Sequence, residues 1–359
     1  MLQVDSANSL IQIAPVVRAS LIPDTGSEPR SRWLQRLLEK IETAPFETEP
    51  FRHLYIPNFL AREHFARIVS APEIAVPGLK SDEQLFDSLF KRGYKIIDFP
   101  GCITNREAYI KWHGRKAQPQ RGFNNSACKG FGITLRLLEA QSPIMKELVQ
   151  FMESDAFQNA LTRKFGVDRS AVTYDGGVQK YLDGYEISPH PDTRKKALTY
   201  MVNVDPGMGS EMSEHHSHYL RLKEKYQYVR AYWDGNPDED RCWVPWNWCD
   251  TIKQQRENNS IVVFAPDNTT MHAVRARYDH LATQRTQLHG DFWYRADAPA
   301  RGPEWEDFVI HKSNGKLKSA ITRKLKAAVP GVTRFIKDKI LRRGDNVVIR
   351  GDRWKKVIG

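Results

Sequence analysis

The sequence predicts a mainly β fold with supporting α-helices, arranged as a sandwich or barrel. Three observations carry this. From Val172 onward the chain breaks into short runs rich in Val, Ile, Tyr, Phe and Thr, several of them separated by turn residues. Ahead of that point, apolar residues recur at helical spacing. Nowhere does the chain approach the roughly 20 consecutive apolar residues of a membrane helix, and its mean hydropathy is −0.57.

Taken in order, a short apolar stretch (residues 10–17) and a Pro/Gly/Ser loop (23–31) precede a helix marked by Trp33, Leu34, Leu37, Leu38 and Ile41. Pro50-Phe-Arg-His-Leu-Tyr-Ile-Pro-Asn-Phe-Leu60 reads as a strand entering a helix, and residues 82–90 and 143–157 read as further helices. The clearest strands are 176–181, 197–204, 260–265, 272–276 and 285–294. The expected organisation is a lead segment (1–45), a core domain (46–300) with a long insert at 205–258, and a basic tail (301–359).

The tail accounts for the charge. Lys and Arg number 54 against 43 Asp and Glu, a net of +11, but residues 312–359 alone carry 15 basic and 3 acidic groups. The preceding 311 residues are balanced at −1. Leu317, Ala320, Ile321 and Leu325 form one apolar stripe and Val332, Phe335, Ile336 and Ile340 another, with Pro330 between them. Two short basic amphipathic helices are expected there, followed by a hairpin pairing 347–349 with 354–358. Such a tail suits an anionic membrane surface or another polyanion. No specific nucleic-acid motif accompanies it. Residues 1–14 lack the basic and apolar regions of a signal peptide. The four cysteines (Cys102, Cys128, Cys242, Cys249) form no C-x-x-C pair and no disulfide framework. Together these features give the expectation of a cytoplasmic protein with reduced thiols, its tail either a solvated basic appendage or a peripheral attachment to a membrane surface.

The sharpest local signal is His190-Pro-Asp192, inside Tyr181-Leu-Asp-Gly-Tyr-Glu-Ile-Ser-Pro-His-Pro-Asp-Thr193. In an extended chain, residues two apart point the same way, so an imidazole and a carboxylate can address one ion. A 2-His-1-carboxylate facial site needs a second histidine. His272 supplies it, at the end of Ser260-Ile-Val-Val-Phe-Ala-Pro-Asp-Asn-Thr-Thr-Met-His272. Thirteen residues later, Arg285 opens Arg-Thr-Gln-Leu-His-Gly-Asp-Phe-Trp-Tyr294. A guanidinium fork is the natural partner for the distal carboxylate of a bound dicarboxylic acid. A second H-x-D, His289-Gly-Asp291, is followed only by His311 and by no strand carrying an Arg, so it is set aside.

On these residues, over roughly 51–294, the chain resembles the Fe(II)/2-oxoglutarate-dependent oxygenases, in their prolyl-hydroxylase-like branch. The resemblance implies a double-stranded β-helix (jelly-roll, cupin-like) core. It implies iron ligands His190, Asp192 and His272, with Arg285 holding the far carboxylate of 2-oxoglutarate and Tyr181 and Tyr200 as further cosubstrate contacts. It also implies O2 as cosubstrate, succinate and CO2 as co-products, ascorbate as a reductant, and hydroxylation of an unactivated C–H. The substrate is expected to be a small molecule, sugar or glycan. The alternatives are a peptidyl (prolyl-type) residue, a nucleic acid, or a non-catalytic binding module on the same fold. The insert departs from the family. Its His215, His216 and His218 read as a solvated cluster or as substrate contacts near the barrel mouth. Its aromatics, among them Trp233, Trp243, Trp246 and Trp248, read equally as a hydrophobic cover or as a stacking surface.

Overall fold

Trp33, Leu37 and Ile41 are buried along one side of α1 (Arg30–Thr43), the helix their spacing predicts. The computed structural model describes residues 30–296, apart from 77, 100, 116–126, 128, 129, 208 and 237–241. The apolar stretch at 10–17, Cys128 and the whole basic tail, with its expected helices and hairpin, lie outside the described residues.

The first half continues through β1 (Phe46–Glu47), β2 (His53–Ile56), α2 (Arg62–Val69), α3 (Asp82–Lys91), β3 (Tyr94–Ile96), α4 (Arg106–His113) and β4 (Thr134–Leu137). The helix expected at 143–157 is two, α5 (Pro143–Glu153) and α6 (Asp155–Phe165). Ser154 separates them: its backbone is extended (φ −70°, ψ 145°), and its hydroxyl accepts the Phe157 N–H. Serine favours this N-cap role because its oxygen satisfies a donor that the first helical turn leaves open.

The β region comprises β5 (Val172–Tyr181), β6 (Glu186–His190), β7 (Lys196–Asn203), β8 (Ser217–Leu222), β9 (Cys249–Gln254), β10 (Ile261–Phe264), β11 (His272–Arg275) and β12 (Arg285–Tyr294), with α7 (Tyr228–Asp234) between β8 and β9. Among the described residues the strands form two antiparallel sheets. One has eight strands in the order β1-β2-β10-β7-β12-β5-β4-β3, and the other four in the order β6-β11-β8-β9. From β5 to β12 the chain shuttles between the two sheets, which is the topology of a jelly roll. The segment expected as an insert is therefore partly core: β8 and β9 are half of the smaller sheet. The 26 residues between them, 223–248, carry no strand among the described ones.

Alternation decides which side chains reach the interior. On β7, Leu198, Tyr200 and Val202 face the helices and join Trp33, Leu148, Phe157 and Leu161 in the main core, as do Leu288 and Phe292 of β12. The opposite face of the same strands, including Thr199, Met201, Arg285, Gln287, His289 and Asp291, lines a cavity between the sheets. The described residues between β8 and β9 cover the outside of the smaller sheet. Trp233, Cys242 and Val244 pack with Leu220, Leu222, Cys249 and Ala273 into a second core, against which Trp246 and Trp248 lie. The aromatic segment is mostly a cover. No helix among the described residues is long and apolar enough to cross a membrane.

Candidate active site

The cavity between the sheets has a volume of about 340 Å³ and is lined by His190, Asp192, His272, Arg285 and Tyr181. His190 ends β6, His272 opens β11, and the two are directly paired across the ladder. Their ring centroids lie 4.3 Å apart. Each ring is fixed in the same way. His190 Nδ1 donates to the Ser188 carbonyl at 2.9 Å, and His272 Nδ1 donates to the Thr270 carbonyl at 2.8 Å. A carbonyl only accepts, so each Nδ1 carries the proton and each Nε2 keeps its lone pair, the state a metal-binding imidazole needs. Burial and the neighbouring His272 push the His190 imidazole down to about 3. Burial likewise lowers His272. Both rings are neutral at ordinary pH.

Asp192 lies just beyond the strand end, with a left-handed backbone (φ 80°) that is costly for a residue other than glycine. Its carboxylate is engaged. One oxygen accepts the Thr193 N–H at 3.0 Å. Lys196 Nζ stands 3.0 Å from both oxygens and 3.0 Å from Asp291. The Thr199 hydroxyl is 3.1 Å from Asp192 and 2.9 Å from Asp291, and its single proton serves one of them at a time. Burial acts to raise the Asp192 carboxyl, but Lys196, His272 and His190 outweigh it and hold the group below the usual carboxylate range. The donor set suits a divalent ion: two imidazole lone pairs and an anionic carboxylate.

Arg285 is 3% exposed. Its guanidinium donates to Ser217 Oγ and Gln287 Oε1, both at 3.0 Å, and sits over the Tyr181 ring at 4.5 Å. Tyr181 in turn donates its hydroxyl to Gln179 at 2.7 Å. The structure does not bring Tyr200 to this group, which corrects the expectation for that residue. Tyr200 is fully buried on the helix side of β7, its hydroxyl 2.5 Å from that of Tyr174 and its ring edge-on to Phe157. The register turns Thr199 and Met201 inward in its place.

His215 and His216 are not a solvated cluster. They are 1% and 4% exposed, and His215 stands 3.6 Å from Asp205. His218 lies on β8, 3.0 Å from Thr251 and edge-on to Trp246. Trp243 does reach the cavity. Sequence reasoning missed Lys196, Arg136, Asp175, His289, Asp291 and Trp293, all of which line it. The signal was present: once Arg285 points inward, period-two alternation turns 287, 289, 291 and 293 inward too.

Among the described residues, the group of three such side chains whose ligand atoms all lie within 4.8 Å of one another is a different one: Asp82, His113 and His280. Its hydrogen bonding argues for an ion network. His113 faces Asp82 at 2.7 Å through Nδ1 and Asp183 at 3.0 Å through Nε2. Those bonds, with Asp183 first, raise its imidazole to about 9. Protonated on both nitrogens, it has no lone pair for a metal. His280 Nδ1 accepts the Asp183 N–H at 2.9 Å, so its Nε2 donates to Asp82 at 2.7 Å.

No protein-family model matches the chain, and no curated protein matches it. Solved structures similar to it include a prolyl hydroxylase from Trichoplax adhaerens in complex with a hypoxia inducible factor oxygen degradation domain peptide fragment. That likeness has 11% identity, covers 74% of this chain and 90% of that one, and has a TM-score of 0.35. A Pseudomonas putida prolyl-4-hydroxylase is similar at 9% identity, 73% and 95% coverage and TM-score 0.34. EvdO2 from Micromonospora carbonacea var. aurantiaca, complexed with 2-oxoglutarate, is similar at 12% identity, 65% and 98% coverage and TM-score 0.27. The jelly-roll assignment rests on the strand order itself.

Proposed function

We propose that the chain is an Fe(II)- and 2-oxoglutarate-dependent dioxygenase that hydroxylates an unactivated C–H, releasing succinate and CO2. One observation carries the reading: His190 and His272 are cross-strand partners with both Nδ1 atoms committed to carbonyls, and they share a cavity with Asp192 and Arg285. His190, Asp192 and His272 would hold the iron. When bound, the iron supplies the open positions at which a 2-oxo acid and O2 are activated. Arg285, already desolvated and aimed by Ser217 and Gln287, would receive the far carboxylate of 2-oxoglutarate. Tyr181 shapes the pocket beside it. The carbonyls behind each histidine keep Nε2 unprotonated and the rings in place. The described residues between β8 and β9 pack over the smaller sheet, and ascorbate would serve as reductant.

The test is Fe(II)-dependent formation of succinate from 2-oxoglutarate by the full chain. It is expected to disappear in His190→Ala and in His272→Ala. Turnover that survives both substitutions would place the metal elsewhere.

A further inference from the structure

We infer that the cavity wall formed by the eight-stranded sheet binds a neutral, hydroxyl-rich ring, a sugar or one sugar unit of a glycan, as the substrate; this rests on the oxygenase reading above. The H-x-D pair set aside in the sequence, His289 and Asp291, turns out to face the same cavity as the first. It stands with Arg136 of β4, Asp175 of β5, Lys196 of β7 and Trp293 of β12, whereas His190 and His272 belong to the smaller sheet.

The charges of this wall are already paired. Arg136 makes two bonds to Asp175, at 2.7 and 3.2 Å, and Lys196 stands 3.0 Å from Asp291. With Arg285 and Asp192 assigned to the cosubstrate and the metal, two cations and two anions remain on this wall, leaving no net charge to select an ion, and a zwitterion would have to break the pairs. A hydroxyl need not. A carboxylate offers about four lone-pair sites and a guanidinium five N–H groups, so each pair keeps spare acceptors and donors at fixed positions. A hydroxyl is both donor and acceptor and suits such a surface. Two polar atoms of the wall, Arg136 Nε and His289 Nδ1, have no hydrogen-bond partner among the described residues, and Asp291 stands 3.9 Å from the latter. Trp293, with the Lys196 ammonium over its ring at 5.2 Å, and Trp243 also line the cavity and add flat apolar surface for the C–H side of a ring. A prolyl ring has no hydroxyls to offer these groups. At about 340 Å³ the cavity lies at the small-ligand end of the usual range.

The full chain, with 2-oxoglutarate and Mn(II) in place of iron, is titrated with methyl pyranosides and disaccharides and followed by saturation-transfer NMR and tryptophan fluorescence. Parallel arms use free amino acids, a prolyl peptide and nucleosides. Sugar binding is expected, weakened at least tenfold in His289→Ala and in Trp293→Ala, both checked for a parental circular-dichroism melt. The inference is overturned if no sugar binds, if both variants bind sugar as the parent does, or if another arm binds in its place. Succinate formation is measured separately. Succinate without sugar binding sinks the substrate assignment alone, and sugar binding without succinate sinks the oxygenase reading and leaves the sugar a ligand rather than a substrate.

Discussion

Lys196 Nζ lies 3.0 Å from the carboxylates of both Asp192 and Asp291, with only about a tenth of each side chain exposed. It is the counter-charge that lets two acids share one end of the cavity. Lys196→Met leaves two facing carboxylates without it. Removing one partner of a buried pair costs about 3–5 kcal/mol, so a lower melting temperature is expected. Added Mn(II) should raise that temperature more in the variant than in the parent, because the ion restores positive charge beside Asp192. Equal shifts would mean that the ion does not bind there.

Arg285 is expected to set 2-oxoglutarate affinity. A hydrogen bond to a charged group contributes about 1.5–3 kcal/mol, which converts to a roughly 10- to 100-fold rise in Kd for Arg285→Ala. Arg285→Lys should recover only part of the loss, because an ammonium cannot match a carboxylate with a planar fork. Calorimetric titration with 2-oxoglutarate decides this. An unchanged Kd in the alanine variant would remove Arg285 from the cosubstrate site.

The Asp82–His113–Asp183 network ties α3 and α4 to the turn between β5 and β6. Its central imidazole is raised to about 9, above the roughly 6.5 of an unfolded histidine. The stabilisation is complete below that unfolded value and is lost as pH climbs through 9. Lys180 pulls the other way, since burial lowers its ammonium to about 7, so the informative quantity is a difference between proteins. The gap in melting temperature between the parent and His113→Gln should be widest near pH 6 and should close towards pH 10.

Gly290 sits opposite Tyr200 in the ladder between β12 and β7. A Cβ added to it would stand 2.3 Å from a ring carbon of Tyr200. That ring is fully buried and has no room to retreat. Gly290→Ala should therefore cost about 1–3 kcal/mol, the usual penalty of overpacking, seen as a lower denaturant midpoint. Combining it with Tyr200→Ala should cost less than the sum of the two, because the clash disappears with the ring.

Much of the fold was legible because the period of the apolar pattern matches the element. Strand β12 was read with its observed limits, and β7, β10 and β11 to within about a residue at either end. The elements missed are those whose pattern competes with something else. Strands β8 and β9 carry His218, Arg221, Asp250 and Lys253, and they read as loop beside the Trp-rich stretch. The four residues singled out as the candidate site, His190, Asp192, His272 and Arg285, do line one cavity, and they were legible because histidine, carboxylate and arginine carry their chemistry at any register. Tyr200 was misplaced because a one-residue shift in register exchanges the two faces of a strand. His289-Gly-Asp291 was set aside because order along the chain says nothing of which cavity two strands share.

The connection between β8 and β9 is fastened to the strand that ends in His190. The Val244 N–H donates to the Pro189 carbonyl at 2.9 Å, and the Trp246 indole donates to Glu186 at 2.7 Å. Arg275, the last residue of the other histidine strand, grips the same carboxylate at 2.9 and 3.0 Å and stacks on Trp246. The cover and the two histidine-bearing strands thus form one mechanical unit. Loops are usually the parts a fold can exchange without disturbing its chemistry, but this one is not separable in that way. A change made in 223–248 to admit a different molecule would also re-aim His190.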